Sequence, residues 1–432
     1  MQDEQEPLRR MDLRFTVVHA ADLHLDTPFS GLGDAAPQVA QALREASLAA
    51  FDRLVELALS EKAAMLLLAG DLYDGPSRGI RAQRRLLSGL ARLAEAGCET
   101  FIVHGNHDPL DGWTAIGAWP QGVHVFPPGG VTSHPVVRGG ETIATVHGVS
   151  FQQREERENL ARLFRAHGEG MQFGVLHCNV GDAAHSPYAP CSPDDLRDAG
   201  LHYWALGHVH QARLVLEGGP WAAYSGVLQG RSPAAGDAGP KGAYVLRCDS
   251  ALGLVSPPEF VPLDLVRFAS VTVDLSDLAD LHAALGKIDG AAQELHATQD
   301  GRGLVARLRL VGEFPGHREL AERSEEVLAE LRGTAQGLSP FLWWDEVEVQ
   351  TRPPLRREEI AGRGDLLSEL LEESRRILES PQELADFLAE QARELRRVEV
   401  QAGPLTAPDA QELLRAAEDA CLRLLWEDGE AG

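Results

Sequence analysis

Short apolar runs alternate with longer segments of helical periodicity over roughly the first 250 residues of the chain. The runs are too short to be buried helices, and they predict buried strands. Between the first two runs, Val39–Leu59 carries apolar side chains near one face, which predicts a helix. Strand, helix and strand in succession favour a layered α/β domain, in which loops at the carboxyl ends of strands hold ligands. The predicted strands are Phe15–Ala20, Met65–Gly70, Phe101–His104, Ile143–His147, Phe173–His177 and Trp204–Gly207.

The pattern changes near residue 250. Ser256–Pro258 and Pro262 predict a linker. Beyond it, apolar and polar positions alternate in short segments, which predicts strands with one buried face, and helical stretches separate these segments. Residues 266–352 are therefore expected to form a small α+β domain. Its predicted strands are Ala269–Leu275, Leu304–Leu310 and Trp343–Val349.

Pro353 and Pro354 mark a second break, after which residues 355–432 have a charged, helical pattern. Ser380 and Glu383 match a capping box that begins a helix, with Pro381 at the first helical position. Two apolar stripes follow, and either they pack against the protein's own body or they form a docking face for a partner helix. The first stripe is Leu384, Phe387, Leu388, Gln391, Leu395 and Val398, and the second is Leu413, Leu414, Ala417, Cys421, Leu424 and Leu425.

The length of 432 residues allows two or three domains. The first ten residues are polar, so no signal peptide is predicted. The sequence contains no run of about 18 apolar residues, so no membrane span is predicted. The five cysteines are scattered and form no CxxC pair, which favours reduced thiols. A cytoplasmic location is therefore expected.

The net charge of −25 changes the expectation for partners. Proteins that bind nucleic acids usually carry a basic surface, and an acidic chain is repelled by phosphates at long range. If the chain binds a nucleic acid, two explanations stay open. Bound divalent metals and local arginines could make a cleft positive, or a partner could supply most of the contacts to the nucleic acid.

Five short motifs lie at the ends of predicted strands. Each is common alone, but their order and their placement after strands point to one site. Their aspartate, asparagine and histidine donors suit manganese, iron or zinc, and the lack of cysteine argues against a structural zinc site. Two metals ~3.5–4 Å apart can clamp a phosphoryl group and lower the pKa of bound water. The motifs are Asp22-Leu-His24, Gly70-Asp71, Gly105-Asn-His-Asp108, His177, and Gly207-His-Val-His210.

This series resembles the signature of the calcineurin-like metallophosphoesterase superfamily and covers roughly residues 12–250. The resemblance implies a four-layer β-sandwich flanked by helices over residues 12–255. It implies that Asp22, His24, Asp71 and His210 hold one divalent metal, and that Asp71, Asn106, His177 and His208 hold the other, with manganese as the expected ion. His107 would act beside the scissile phosphate, and Asp108 would orient it.

Three longer sequence segments around these motifs are similar to SbcD/YhaO-type DNA repair exonucleases. Ala21–Phe29, Gly70–Asp74 and Tyr224–Arg231 carry this resemblance. It implies a metal-dependent DNA exonuclease or endonuclease in which residues 266–352 cap the active site and residues 355–432 bind an SbcC/YhaN-type coiled-coil ATPase. Arg231 is expected to bind a substrate phosphate. Two departures are Asp74, where some nucleases of the wider group carry histidine, and Leu23, where SbcD carries tryptophan.

Several alternatives stay open at this point. The same metals could serve a phosphatase or small-molecule phosphodiesterase, the chain could be a scaffold subunit for an ATPase, and a homodimer is compatible with the sequence. Trp343 and Trp344 fit either base stacking or a domain core, and core packing is favoured. Arg307 and Arg309 fit either a DNA-facing surface or the solvated side of a strand. Asp26 and Asp74 could support metal ligands or cap loops.

Overall fold

The computed structural model describes residues 14–27, 37–75, 79–109, 117–181, 188–233, 237–354, 357–380, 382–387 and 407–430. These residues divide into two compact units. The first comprises the described residues up to Val273 together with Leu285–Leu310 and Arg323–Val349, and the second comprises Asp274–Ala284, Val311–Glu322 and the described residues from Gln350 onward.

A seven-stranded sheet forms the first layer of strands in the first unit. Strands β1, β2, β3 and β4 are parallel neighbours, β13 pairs antiparallel with β1, and β14 and β15 pair with β13. Pro262 lies in β15 and pairs with Gly242, so the prediction that it belongs to a linker is wrong. The strands are β1 (Arg14–Ala20), β2 (Met65–Ala69), β3 (Glu99–Val103), β4 (Val123–Val125), β13 (Gly242–Asp249), β14 (Gly253–Leu254) and β15 (Glu259–Pro262).

A six-stranded sheet lies against the first, in the order β11-β12-β10-β7-β6-β5. Strands β6, β7, β10 and β12 are parallel neighbours, and β5 and β11 are antiparallel edges. The strands are β5 (Thr132–Arg138), β6 (Glu141–Gly148), β7 (Met171–His177), β10 (Tyr203–Gly207), β11 (Arg213–Leu216) and β12 (Trp221–Tyr224); a separate pair consists of β8 (Asn179–Val180) and β9 (Pro190–Cys191).

Three apolar cores stack these elements into four layers. Helices α1 (Pro37–Ser60) and α2 (Ile80–Glu95) cover the first sheet. Phe101 and Phe173 belong to the core between the two sheets. On the far side, Trp204 packs with a 3₁₀ turn at Leu160–Leu163 and with α3 (Pro193–Asp198). The central strands β2, β7 and β10 lie between two apolar layers and are buried on both faces. The expected sandwich flanked by helices is therefore confirmed.

A three-stranded sheet in the order β16-β17-β18 follows the sandwich. Trp343 and Trp344 are buried, so they anchor this domain's core and are not exposed for base stacking. The guanidinium groups of Arg307 and Arg309 pair with Asp345 and Glu348 on the neighbouring strand. The elements are β16 (Val266–Asp274), α4 (Leu281–Ala297), β17 (Gly303–Glu313), α5 (His317–Glu322), α6 (Ser324–Ala335) and β18 (Leu342–Arg352).

In the second unit, the last helices are α7 (Arg357–Ala361), α8 (Leu366–Glu379) and α9 (Ala407–Glu430). The backbone N–H of Glu383 donates to Oγ of Ser380, which is one of the two hydrogen bonds of the predicted capping box, and Pro381 lies outside the described residues. Leu414, Glu418 and Leu422 form the buried face of α9, whereas Leu413, Ala417 and Cys421 of the second stripe are exposed. Most of that stripe therefore does not pack against the described part of the protein, and the docking face stays a prediction. Leu388, Gln391, Leu395 and Val398 of the first stripe lie outside the described residues. Among the described helices, none has the length and apolar composition to cross a lipid bilayer.

Candidate metal centre

The predicted site residues meet because their strands end at one edge of the sandwich. Asp22 and His24 follow β1, Asp71 follows β2, and Asn106 follows β3; these three strands are parallel neighbours in one sheet. His177 ends β7, and His208 and His210 follow β10, which is the parallel neighbour of β7 in the other sheet. The carboxyl ends of both sheets therefore deliver the ligand candidates to one place.

The backbone at these strand ends is strained. Asp22, His24, Asp71 and His208 have φ angles of 50°, 40°, 52° and 104°, in a region that L-residues rarely occupy. Each such residue costs on the order of 1–3 kcal/mol, and it persists because the surrounding structure fixes it. The strain turns each side chain sharply off its strand and into the site. It is a local sign of function that the hydrophobic pattern does not reveal.

Two glycines of the motifs let the layers approach closely. A Cβ at Gly207 would overlap the carbonyl oxygen of Ala69, which lies on the facing sheet. A Cβ at Gly105 would overlap Oδ1 of Asp71 and would lie 2.8 Å from the ring of His177. Backbone contact therefore excludes a side chain at Gly207, whereas a side chain at Gly105 would require Asp71 and His177 to move.

Two groups of donor atoms share Asp22. Asp22, His24 and His210 form one group, and Asp22, Asp71 and His177 form another; within each group the donor atoms lie within 4.8 Å of one another. Asp71 lies near both imidazoles, with Oδ2 3.5 Å from Nε2 of His177 and 4.0 Å from Nε2 of His24. A carboxylate between two sets of donors has the arrangement that bridges a pair of cations.

The remaining ligand candidates surround Asn106. Its Oδ1 lies 2.9 Å from Nε2 of His177 and 3.3 Å from Nδ1 of His208. Nδ1 of His177 lies 3.1 Å from the carbonyl oxygen of Ala69, which fixes the proton on Nδ1 and leaves a lone pair on Nε2. Two lone pairs then face each other between His177 and Asn106, and a cation would satisfy both.

The donors fit divalent metals on physical grounds. Both ring nitrogens of His24 are buried and have no hydrogen-bond partner among the described residues, which costs about 1–3 kcal/mol unless another group satisfies them. Burial lowers the pKa of His24 well below its ordinary value, that of His177 to about 4 and that of His208 to about 3. These imidazoles are therefore neutral, which is the form that ligates metals.

The carboxylates show the complementary shift. Burial raises the pKa of Asp22 well above its ordinary value, and the charge of Asp71 raises it further. Burial raises the pKa of Asp71 to about 7, with a further contribution from Asp108. Two buried carboxylates that resist ionisation next to neutral histidines form a site that a pair of cations would complete.

His107 is oriented by Asp74, and the prediction that Asp108 orients it is wrong. Nδ1 of His107 lies 2.6 Å from Oδ1 of Asp74, and Nη1 of Arg231 donates to Oδ2 of the same carboxylate at 2.8 Å. Burial opposes ionisation of Asp74, but the charges and hydrogen bonds of His107 and Arg231 lower its pKa overall. The Asp108 carboxylate instead accepts the backbone N–H groups of Leu72 and Gly105, and it lies beside the ring of His104. Asp108 therefore holds the loop.

The sequence patterns missed Asp237 and Lys241. Oδ1 of Asp237 lies 3.1 Å from Nδ1 of His210, and its Oδ2 accepts the backbone N–H of Arg231 at 3.0 Å. Nζ of Lys241, a buried side chain, donates to the carbonyl oxygen of His210 at 3.3 Å. Neither residue belongs to a motif, and Asp237 lies 27 residues after its histidine partner, so no spacing signal could identify it.

Two family models match the chain. The model described as calcineurin-like phosphoesterase matches residues 15–212, which include all five metal-ligand motifs from Asp22 to His210. The model described as metallophosphoesterase YhaO, middle domain, matches residues 268–352. The first match spans the four-layer sandwich up to β10 and its following loop, and the second spans the three-stranded sheet and its helices.

Three relatives extend these matches. The DNA double-strand break repair protein Mre11 of Aeropyrum pernix is 29% identical over 233 residues, which are 49% of this chain and 53% of that protein. The SbcD component of the nuclease SbcCD from Rhodobacter capsulatus is 36% identical over 115 residues, or 26% of each chain. The metallophosphoesterase YhaO of Bacillus subtilis is 33% identical over 303 residues, which are 69% of this chain and 72% of that protein. The chain therefore belongs to the calcineurin-like phosphoesterases and, within them, to the family of the metallophosphoesterase YhaO.

Proposed function

We propose that this phosphoesterase is a nuclease that hydrolyses phosphodiester bonds in DNA during repair, as an exonuclease or endonuclease. The observation that carries the proposal is the pair of neighbouring donor groups, with Asp71 between His24 and His177, beside the His107–Asp74–Arg231 contacts. DNA is the proposed substrate because two relatives are named as a DNA double-strand break repair protein and as a subunit of a nuclease.

The residues fit two divalent ions, for which manganese is the proposed metal. Asp22, His24, Asp71 and His210 would hold one ion, and Asp71, Asn106, His177 and His208 would hold the other. Bound ions of this kind polarise a phosphoryl group and make water a stronger nucleophile near neutral pH. The protein fixes the donors beforehand, through the strained backbone of Asp22 and Asp71 and through the hydrogen bond of His177 to Ala69.

His107 and Arg231 would act on the substrate. Because Asp74 occupies Nδ1 of His107, Nε2 is the nitrogen that can face a phosphate and donate a proton to the leaving oxygen. Arg231 keeps Nε buried without a hydrogen-bond partner among the described residues, and its side chain is 18% exposed. A phosphate oxygen would satisfy that nitrogen, since a guanidinium matches phosphate geometry.

The net charge of −25 repels DNA phosphates at long range, so we expect a partner to supply part of the DNA-binding surface. The proposed partner is an SbcC/YhaN-type coiled-coil ATPase that binds the C-terminal helical region, residues 355–432, and shares the grip on DNA in the cytoplasm. The domain at residues 266–352 would limit which DNA ends reach the sandwich, residues 12–255. A homodimer is compatible with this arrangement.

Hydrolysis of end-labelled duplex DNA with Mn²⁺, by the wild type and by His107→Ala, tests the proposal. The expected result is cleavage by the wild type and a loss of about 10²–10⁴-fold in the variant, the usual contribution of a general acid. Metal content and folding should be equal in the two proteins, because His107 is not a proposed ligand. Full activity of His107→Ala would contradict its assigned role.

The acidic charge favours one alternative, a phosphatase or phosphodiesterase for small substrates. The same proteins are therefore assayed on a chromogenic phosphodiester and a chromogenic phosphomonoester. Turnover of a small substrate without cleavage of DNA would move the substrate class away from DNA. No turnover of any substrate by a manganese-loaded wild type would favour a scaffold subunit for an ATPase.

A further inference from the structure

Asp237 contacts two parts of the site at once. It is buried, and its two oxygens accept hydrogen bonds from different donors: Nδ1 of His210 at 3.1 Å and the backbone N–H of Arg231 at 3.0 Å. Arg231 in turn reaches Asp74 with its guanidinium, and Asp74 contacts His107. Hydrogen bonds at the two ends of Arg231 therefore connect a ligand candidate, through that residue, to the proposed general acid.

The contact with Asp237 determines which nitrogen of His210 can bind a cation. When Nδ1–H donates to a carboxylate, the proton stays on Nδ1, the ring is held in one orientation, and Nε2 presents its lone pair. This restraint matters for His210, because its side chain is 32% exposed and is less enclosed than His24 or His177. Its backbone is also held, since the carbonyl oxygen accepts from Lys241 Nζ and from the Val227 N–H.

We propose that Asp237 is a positioning residue. It holds the His210 ring in the orientation of a metal ligand, and it fixes the backbone of Arg231, whose guanidinium extends into the site. The proposal rests on the proposed metal-dependent function. It adds a residue that lies outside every sequence motif of the metal centre. A purely structural role would affect folding, whereas a positioning role affects the affinity for metal in a protein that is still folded.

The test uses the full chain after removal of metal. Binding of Mn²⁺ alone is measured by calorimetric titration for the wild type, Asp237→Asn and Asp237→Glu, with His210→Ala as the reference for loss of the ligand. Asparagine is nearly isosteric with aspartate, but both groups that contact Asp237 are donors. The amide N–H₂ of asparagine would therefore face either the His210 ring N–H or the Arg231 backbone N–H, and that hydrogen bond would be lost. Glu217→Gln, at an exposed position, controls for removal of one negative charge.

Asp237→Asn is expected to weaken Mn²⁺ binding at one site about 10–100-fold, the usual effect of removing such a carboxylate. Asp237→Glu should recover part of the loss, and Glu217→Gln should bind as the wild type does. The melting temperature of each metal-free protein reports folding separately. If Asp237→Asn binds Mn²⁺ as tightly as the wild type, the proposal is wrong. If the wild type itself binds no Mn²⁺, the proposed metal-dependent function fails instead.

A lower melting temperature in Asp237→Asn would not make the test ambiguous. Metal affinity is then compared at a temperature below the melting temperature of every variant, so that each protein is folded when it meets the ion. Under that condition, weakened binding in folded Asp237→Asn supports positioning, and equal binding overturns it.

Discussion

Nδ1 of His107 lies 2.6 Å from Oδ1 of Asp74, so one carboxylate holds the imidazole that would face the scissile phosphate. Because the other oxygen of Asp74 accepts from Arg231, the same residue restrains the proposed phosphate-binding side chain. Asp74→Asn is therefore expected to lower kcat by about 10-fold or more through a misplaced general acid. KM should change less, and Mn²⁺ stoichiometry should stay that of the wild type.

Steady-state kinetics on a chromogenic phosphodiester would check this prediction, with metal content measured on the same samples. Asp198→Asn, an exposed position at the end of α3, is the matched control and should behave as the wild type. A normal kcat for Asp74→Asn would mean that the His107 contact has no role in turnover.

The metal motifs were predictable because each follows a buried apolar strand. A short strand and a polar residue after it are both visible in sequence, and parallel order then requires the strand ends to meet, as at Asp22 and Asp71. The hydrogen-bond partners of His107 and His210 cannot be predicted in this way. Asp237 is far from His210 in sequence, and the choice between Asp74 and Asp108 as the partner of His107 depends on side-chain geometry rather than on spacing.

The buried face of helix α9 shows a second limit. Leu413, Leu414, Leu424 and Leu425 all belong to one predicted apolar stripe, and hydrophobicity does not tell which of them pack inside the protein. The structure buries Leu414 and Leu422 together with Glu418, whose carboxylate contacts Ser374 and Arg357. A glutamate on the buried face is tolerated because an arginine and a hydroxyl satisfy it, and such pairing depends on tertiary structure.

Gly105→Ala is expected to disrupt the metal centre without an ionisable group being changed. Its Cβ would overlap the Asp71 carboxylate and press on His177, so Asp71 must move. Calorimetric titration should show Mn²⁺ binding at least ~10-fold weaker, as for other displaced ligand shells. Gly130→Ala is the control, since a Cβ there meets no atom within 4 Å. Unchanged affinity in Gly105→Ala would show that the site relaxes around the added methyl group.

Asp264 is expected to contribute strongly to stability. It is fully buried, and its carboxylate lies 3.1 Å from Nε of Arg267 and 3.0 Å from Nε of Arg302. Asp264→Ala would remove the buried anion that the two guanidinium groups share and leave them only the exposed carboxylate of Asp300, 3.5–3.6 Å away. Loss of the buried partner is expected to cost about 3–5 kcal/mol in the free energy of unfolding. Urea titration would measure the difference, with Glu294→Ala on the exposed face of α4 as control. A loss below about 1 kcal/mol, the usual worth of an exposed ion pair, would indicate that water or other groups replace the carboxylate.

His19 is expected to make the fold sensitive to acid. Burial lowers its pKa to about 3, well below the value near 6.5 expected in the unfolded chain, and its Nδ1 lies 2.9 Å from the Tyr203 hydroxyl. Between these two pKa values the unfolded state therefore binds one more proton than the folded state. The contribution of neutral His19 to the free energy of unfolding is complete above about pH 6.5 and is lost as the pH falls toward 3. The loss amounts to about 1.4 kcal/mol per pH unit.

His19→Asn removes this ionisable group while keeping a polar atom near Tyr203. Urea unfolding of metal-free protein at pH 7, 6 and 5 should show a smaller decrease in stability for the variant than for the wild type. The other buried histidines titrate in both proteins, so the difference between the two slopes isolates His19. Parallel slopes would show that His19 is protonated at the same pH in both states.

Metal removal and pH should act together through Asp71. In the metal-free protein its pKa is raised to about 7, so between its unfolded value near 3.9 and 7 the folded state binds the extra proton, and stability falls as pH rises through this window. A bound cation must displace that proton. The stabilisation by Mn²⁺ is therefore expected to grow from pH 6 toward pH 7 and then to flatten as Asp71 is already ionised.

Thermal unfolding with and without Mn²⁺ at pH 6, 7 and 8 measures this stabilisation, which reaches about 2.7 kcal/mol when the metal concentration is 100-fold above Kd. Asp71→Asn should show little stabilisation at any of these pH values, and an equal response in the variant and the wild type would remove Asp71 from the ligand set.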